Sequence, residues 1–281
     1  MLLPLAEAIE RHVADGASVA LEGFTHLIPF AAGHEIIRQR RRDLHLIRMT
    51  PDLIYDQMIG MGCARKLTFS WGGNPGVGSL HRLRDAVEHQ WPCPLELDEH
   101  SHAGMAAAFC AGAARLPFGM LRGYAGTDLP AHNPNIRRVA CPFTGEMLAA
   151  VPALNPDVTI LHAQRADRAG NVAIEGIVGA TREAALAAKT LLVTVEEIVE
   201  ALPPAMNAIV LPHWVVAAVA VCPGGAYPSY AHGHYARDNA FYRQWDAIAR
   251  ERASFLAWMD AHVLDTHDHR AFLASLQQEA A

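Results

Sequence analysis

The chain has 281 residues, 51% of them apolar and 19% charged, with a formal net charge of −6 and a pI near 6.2. That balance suits a compact globular protein and disfavours a nucleic-acid partner, because its arginine clusters, such as residues 38–42, are short and isolated. No stretch approaches the roughly 18 uninterrupted apolar residues of a membrane span, and Cys63, Cys93, Cys110, Cys141 and Cys222 include no C-x-x-C pair. The chain reads as a cytoplasmic protein with reduced thiols, neither secreted nor membrane-embedded.

Taken in order, Leu5 to Val13 has helical spacing, Asp15-Gly16 breaks it, and Ser18 to Leu21 reads as a short buried strand ending at Gly23-Phe24. The pattern then alternates: a helix over Ala31 to Arg41, a strand over Leu44 to Met49, a helix over Leu53 to Met61, a strand over Lys66 to Trp71. Parallel strands need crossovers of about a dozen residues, so this alternation predicts an α/β architecture, a mainly parallel sheet flanked by helices. Further strands are expected at Phe118 to Arg122, Val158 to His162, Leu191 to Val195 and Val215 to Val221, with alanine-rich helices over Ala103 to Ala114 and Thr181 to Ala188. From Phe241 onward, Phe241, Trp245, Ile248, Phe255 and Met259 recur at helical spacing, which predicts one long amphipathic helix. No linker or repeat divides the chain, so residues 1–281 read as a single domain with a C-terminal helical segment from about 238. Gly72 to Ser79 and Pro223 to His234 are its two long loops.

Three segments carry chemistry. Gly23-Phe24-Thr25-His26 follows the first strand, where open parallel sheets bind ligands; Gly23 admits close approach and Thr25 and His26 offer hydrogen bonds, although a tight turn with a surface histidine fits equally. The loop Gly72-Gly73-Asn74-Pro75-Gly76-Val77-Gly78-Ser79 lies between a strand and a helix, so its N–H groups could cradle an anion, or it is a flexible turn. It is not G-x-G-x-x-G, and no P-loop lysine pattern occurs, which removes support for nicotinamide or nucleotide-hydrolysis chemistry. In Leu95 to Met105, strand alternation puts Glu96 and Asp98 on one face and Leu97 and Glu99 on the other, leaving Glu99 at the strand's carboxyl end as nucleophile or general base. Alternatively, Asp98 or Ser101 caps the next helix.

Histidine pairs His100/His102, His232/His234 and His267/His269 have H-x-H spacing but no attached set of cysteines or carboxylates, and H-E-x-x-H is absent; no metal site is expected. Serine hydrolase chemistry lacks its G-x-S-x-G elbow.

Asp15-Gly16 with Gly23-Phe24-Thr25-His26, Asp98-Glu99 with Gly104-Met105, Leu116-Pro117-Phe118 to Arg122, and Gly170-Asn171 occur in an order that continues through Pro223-Gly224-Gly225-Ala226. In that order they resemble the α subunit of class I CoA-transferases, of the glutaconate type. The resemblance implies an α/β fold of the NagB/RpiA/CoA-transferase type and a β-type partner subunit, usually in an α2β2 assembly. It also implies an acyl-CoA substrate, with coenzyme A thioester as reactant and no bound cofactor. In such transferases a glutamate, normally of the β subunit, attacks the thioester, forms a mixed anhydride and then a glutamyl-CoA thioester, and passes CoA to a second acid. This chain then supplies half of a site: Glu99 is its candidate catalytic residue, and Gly23, Phe24, Thr25, His26, Gly72, Gly73, Asn74 and Arg122 are its candidate substrate-binding residues. A related branch resembles the α subunit of a steroid ring-cleaving hydrolase acting on a cyclic-ketone CoA thioester, in which Glu99 would be the general base and Arg122 matches an arginine after Leu-Pro-Phe. A scaffold whose catalysis lies wholly in its partner is the non-enzymatic alternative.

Overall fold

A computed structural model describes residues 1–75 and 78–279. The first half alternates as the apolar pattern requires: α1 (Leu5–His12), β1 (Ser18–Glu22), α2 (Phe30–Arg38), β2 (Leu44–Ile47), α3 (Leu53–Gly60), β3 (Ala64–Phe69), α4 (His81–His89), β4 (Glu96–Glu99) and α5 (His102–Ala113). The middle contributes β5 (Phe118–Leu121), α6 (Leu129–His132), β6 (Arg137–Ala140) and β7 (Met147–Pro152). There follow β8 (Val158–Asp167), β9 (Val172–Ile174), α7 (Thr181–Ala187), β10 (Thr190–Val199), β11 (Ile209–Leu211) and β12 (Ala218–Val221), and then α8 (Asn239–Arg250), α9 (Arg252–Met259), a π-helical turn over Asp260–Leu264, and α10 (His269–Glu279).

Among the described residues, nine strands form one sheet in which only β9 runs against the others. Its main path is β11-β9-β8-β1-β2-β3-β4, with β10 on the other edge of β8 and β12 beside β10. In β1, Val19 and Leu21 join the core under α1 to α4 and the C-terminal helices, whereas Ala20 joins the core under α5 and α7. Both faces are therefore covered, which is why the parallel strands read as unbroken apolar runs. A separate three-stranded antiparallel sheet, β5-β7-β6, packs against α5 through Val151 and Leu121.

The structure departs from the sequence pattern in three places. The expected strand over Val215 to Val221 begins as a 3-10 turn at His213–Val215, where Val215 N–H bonds back to Pro212, and becomes a strand only at Ala218. The β6–β7 hairpin and the three-residue β9 and β11 lack the length and alternation that would reveal them. The expected single C-terminal helix is broken at Glu251, whose φ of −105° and ψ of 141° are extended. In a straight helix the 13 residue steps from Trp245 to Trp258 would span about 20 Å; the break folds α9 back, and the two indole rings lie 5.1 Å apart, with Phe255 6.0 Å from Trp245.

Trp245 is fully buried and donates its indole N–H to Asp56 Oδ2 at 3.1 Å. The same carboxylate accepts the backbone N–H groups of Arg82 and Leu83 at 2.8 and 2.9 Å, capping α4 from α3. One side chain thus ties three helices together. Trp245→Ala is expected to cost about 3–5 kcal/mol of stability, read as a lower urea midpoint with native circular dichroism retained in the absence of denaturant; an unchanged midpoint would show that the aromatic cluster does not hold the C-terminal helices.

Candidate functional site

Strand order reverses between β1 and β8: the chain leaves β1 toward β2 on one side, while β8 continues to β10 on the other. A crevice opens at such a point, outside the carboxyl ends of the strands. From β1 outward to the edge, four neighbouring strands present Glu22-Gly23, Arg48-Met49, Ser70-Trp71 and Glu99-His100 at their carboxyl ends.

The Gly23 to Leu27 loop is sharply wound. A Cβ on Gly23 would lie 2.7 Å from the carbonyl oxygens of His26 and Leu27, so only glycine fits. Thr25 and Leu27 take φ of 57° and 53°, the left-handed region that side chains disfavour. The loop is held from outside by the long loop after β12: Ser229 Oγ donates to Thr25 O at 3.1 Å, and Leu27 N donates to Tyr230 O at 2.9 Å. His26 closes the same seam. Its Nδ1 donates to Ile177 O at 3.1 Å, its Nε2 accepts the His232 N–H at 3.0 Å, and its ring packs 4.5 Å from Tyr230. Burial pushes its pKa below the ordinary histidine value, in keeping with this neutral tautomer. The ring is fully buried with both nitrogens engaged, so the expected surface histidine is absent, and of the four loop residues Phe24 and Thr25 keep partial exposure. The covering loop is anchored in turn by Glu196, which accepts from His162 Nε2 and Tyr235 Oη at 2.7 Å and from Gly224 N at 2.8 Å.

Beneath the loop lies a buried charge cluster that the sequence pattern does not single out. Glu22, 4% exposed, accepts from Met49 N at 3.4 Å. Burial pushes its carboxyl up to about 7, against the opposing pull of the Arg48 guanidinium and the Met49 and Gly23 backbone N–H groups. Arg48 donates to Gly23 O at 2.8 Å and to Asp52 Oδ1 at 3.3 Å. The one signal in the chain is an arginine at the end of the largely apolar run Leu44 to Met49.

At the sheet's edge, Asp98 and Glu99 have opposite fates. Asp98 accepts from Asn133 at 2.8 Å, from Thr68 at 3.1 Å, from Asn135 at 3.2 Å, and lies 3.1 Å from His100 Nε2. Burial alone would raise its pKa, but the hydrogen bonds from His100, Asn133 and Asn135 outweigh it and hold the carboxyl well below the usual range. The helix cap falls to Ser101, whose Oγ accepts from Gly104 N at 3.0 Å. Glu99 is therefore not the cap. Its side chain is exposed, has no hydrogen bond or ion pair among the described residues, and lines a cleft of about 250 Å³ with Lys66, His132, Asn133 and Asn135. Nearby, Ser70 Oγ donates to Met49 O at 2.6 Å and lies 3.2 Å from Nδ1 of the exposed His102.

The remaining candidates are dispersed. Gly72 and Gly73 line a second cleft, of about 320 Å³, with Trp71, Ser79 and Leu97. Gly73 N is taken by Pro51 O, Asn74 N by Gly78 O and Gly78 N by Asn74 O, so these three N–H groups are not free to cradle an anion; Gly76 and Val77 lie outside the described residues. Asn74 is buried and turns inward, donating to Tyr242 O at 2.8 Å. Arg122 follows β5 on the small sheet, 80% exposed in its side chain, and forms a two-point pair with Glu146 at 2.9 and 3.0 Å. Among the described residues no three His, Cys, Asp or Glu side chains gather into a metal-ligating cluster, and no helix is long and apolar enough to cross a membrane.

A coenzyme A transferase family model matches residues 3–221. The A subunit of the 3-oxoadipate CoA-transferase of Pseudomonas knackmussii is 64% identical over 99% of this chain and 98% of its own length. The crystal structure of glutaconate coenzyme A-transferase from Acidaminococcus fermentans superposes with a TM-score of 0.90 at 29% identity, covering 98% of this chain and 92% of that one. The cholesterol ring-cleaving hydrolase IpdA subunit of Rhodococcus jostii is 28% identical over 61% of this chain and 62% of its own length.

The raised Glu22 carboxyl has a measurable consequence. A buried acid whose folded pKa of about 7 exceeds its ordinary 4.5 keeps its proton where the unfolded chain loses it. Stability from this group is therefore present at low pH and is lost as pH rises from 4.5 to about 7, by up to about 3 kcal/mol, levelling off above that. Glu22→Gln should remove that slope. Asp56, pushed up to about 6 by burial, contributes equally to both proteins and cancels in the comparison. Parallel urea titrations from pH 5 to 8 check this, and identical slopes in the two proteins would refute it.

Proposed function

Because the chain belongs to the coenzyme A transferase family, we propose that it is the α half of a two-subunit enzyme that moves CoA between an acyl-CoA and a short dicarboxylic acid. The substrate class follows the relatives, named for glutaconate and 3-oxoadipate, both dicarboxylates. The observation that carries the site assignment is Glu99: Glu22 is buried beside Arg48 and Asp98 is fully hydrogen-bonded, while Glu99 stands exposed in an open cleft with no hydrogen bond or ion pair among the described residues. An open cleft at a sheet edge suits a half-site completed by another subunit.

In this reading a glutamate of the β-type partner attacks the thioester carbonyl. The C–S bond breaks, CoA leaves as thiolate and a mixed anhydride forms. The thiolate then attacks the glutamyl carbonyl, releasing the first acid and leaving a glutamyl-CoA thioester, and the reverse sequence delivers CoA to the second acid. No water enters the balance, so the site must exclude it. In this reading Glu99 orients the substrate from the α side and Phe24, Thr25, Gly72 and Gly73 contact it, while Arg122 must exchange its Glu146 partner to meet an anionic group of the substrate. His26 and Asn74 act from behind, holding the loops.

The co-expressed pair should transfer CoA from acyl-CoA donors to glutaconate or 3-oxoadipate, and the chain alone should be inactive. Borohydride trapping should then mark a glutamate of the partner. Glu99→Gln is expected to fold normally and to lower turnover by roughly 100-fold, the scale of a positioned carboxylate; unaltered turnover would remove Glu99 from the site. Cleavage of a cyclic-ketone thioester in water, with no acceptor acid and no trapped adduct, would establish the hydrolase instead.

A further inference from the structure

We propose that Arg48 is a positioning residue for the substrate loop: its guanidinium fixes the Gly23 carbonyl from beneath and thereby sets the placement of Phe24 and Thr25. The inference rests on the reading of that loop as substrate-binding. Arg48 is 1% exposed, so it reaches the site only through the backbone it holds. Its Nη2 donates to Gly23 O at 2.8 Å, while Nη1 reaches a single Asp52 oxygen at 3.3 Å, and the guanidinium lies 5.5 Å over the Tyr55 ring.

The unequal lengths are informative. Arginine–carboxylate pairs are frequently bidentate, with two short parallel contacts. Here Asp52 Oδ2 and Arg48 Nε have no hydrogen-bond partner among the described residues, and the short contact goes to the loop. The ion pair keeps the buried charge tolerable, and the fork is aimed at Gly23.

The loop needs such an anchor. With Thr25 and Leu27 in the left-handed region and no room for a Cβ at Gly23, its conformation persists only where its surroundings over-determine it. Ser229, Tyr230 and His232 hold it from a second loop, whereas Arg48 holds it from the end of β2, within the rigid frame of the sheet.

The test is Arg48→Lys in the co-expressed two-subunit enzyme. Lysine keeps the charge but cannot serve both acceptors in one plane. The KM for acyl-CoA should rise roughly tenfold or more with kcat little changed, the pattern of lost substrate positioning. A purely structural role would lower kcat by reducing the active fraction and leave KM alone, and that result overturns the proposal. Should the lysine variant fail to fold, the double substitution Arg48→Met with Asp52→Leu removes both buried charges together and should show the same rise in KM; an unchanged KM there counts against the proposal equally. Asp52→Asn, which leaves the Gly23 contact in place, should keep the wild-type KM, and a rise matching that of Arg48→Lys would mean that the ion pair is what matters. Hydrogen exchange of the same complexes gives a readout independent of activity: residues 23–28 should exchange faster in Arg48→Lys while β8 and β10 stay protected, and unaltered exchange of the loop overturns the inference. If the wild-type enzyme transfers no CoA, the functional reading fails, and the exchange experiment still decides the role of Arg48.

Discussion

Every feature of the site depends on the position of β1, which is paired in parallel on both edges, with β8 and with β2, and covered on both faces. A strand so enclosed pairs its backbone on both edges, and its inner residues Val19, Ala20 and Leu21 are apolar and buried. The first partly exposed residues, Phe24 and Thr25, come just past the end of β1, beyond the buried Glu22 and Gly23, while β8 runs on to pair with β9. The crevice therefore follows from the sheet's strand order, and the residues that close β1 and β2 meet there although 25 positions separate Gly23 from Arg48.

That meeting place is electrically expensive. Glu22, Arg48 and Asp52 are all buried, and charges taken out of water are tolerated only when they are paired or neutralised. The cluster uses both routes: Arg48 lies against Asp52, and Glu22 carries a carboxyl whose burial shifts it toward the protonated form near neutrality. A second polar group, His162 with Glu196 and Tyr235, works in the same way under the loop after β12. Two strained or irregular loops are thus each supported by a buried polar network, and the two loops lock together through His26, Thr25 and Leu27. Each loop is thereby held in one conformation by buried partners, which fixes the residues it presents.

The opposite behaviour of Asp98 and Glu99 shows how a single step in register divides a hydrogen-bonded side chain from an exposed one. Side chains alternate across a strand, so the two neighbouring carboxylates face opposite ways. One turns toward Thr68 and the asparagines after α6 and braces the sheet edge; the other is left free. His100 completes the brace and Ser101 takes the cap, and the Glu99 side chain makes no hydrogen bond or ion pair among the described residues.

Much of this was legible in the sequence, because it depends on local periodicity: the alternation from α1 to α5, the strand ends at Gly23 and Glu99, and the family resemblance carried by ordered short motifs, whereas the choice of Ser101 over Asp98 as the helix cap came from the structure. What the sequence could not decide was which polar residues face inward. His26 and Asn74 have the composition of ligand-binding side chains, yet their hydrogen-bond partners Ile177, His232 and Tyr242 lie 151 or more positions away. Arg48 looked like the ordinary end of a strand until folding brought it under Gly23. The C-terminal aromatic stripe fixed a helical period but not the break at Glu251, which is set by the space into which Trp245 and Trp258 must pack together. Periodicity is a property of neighbouring residues and is written in the chain, whereas partnership across the sheet is a property of distance in space and exists only once the strands have been ordered.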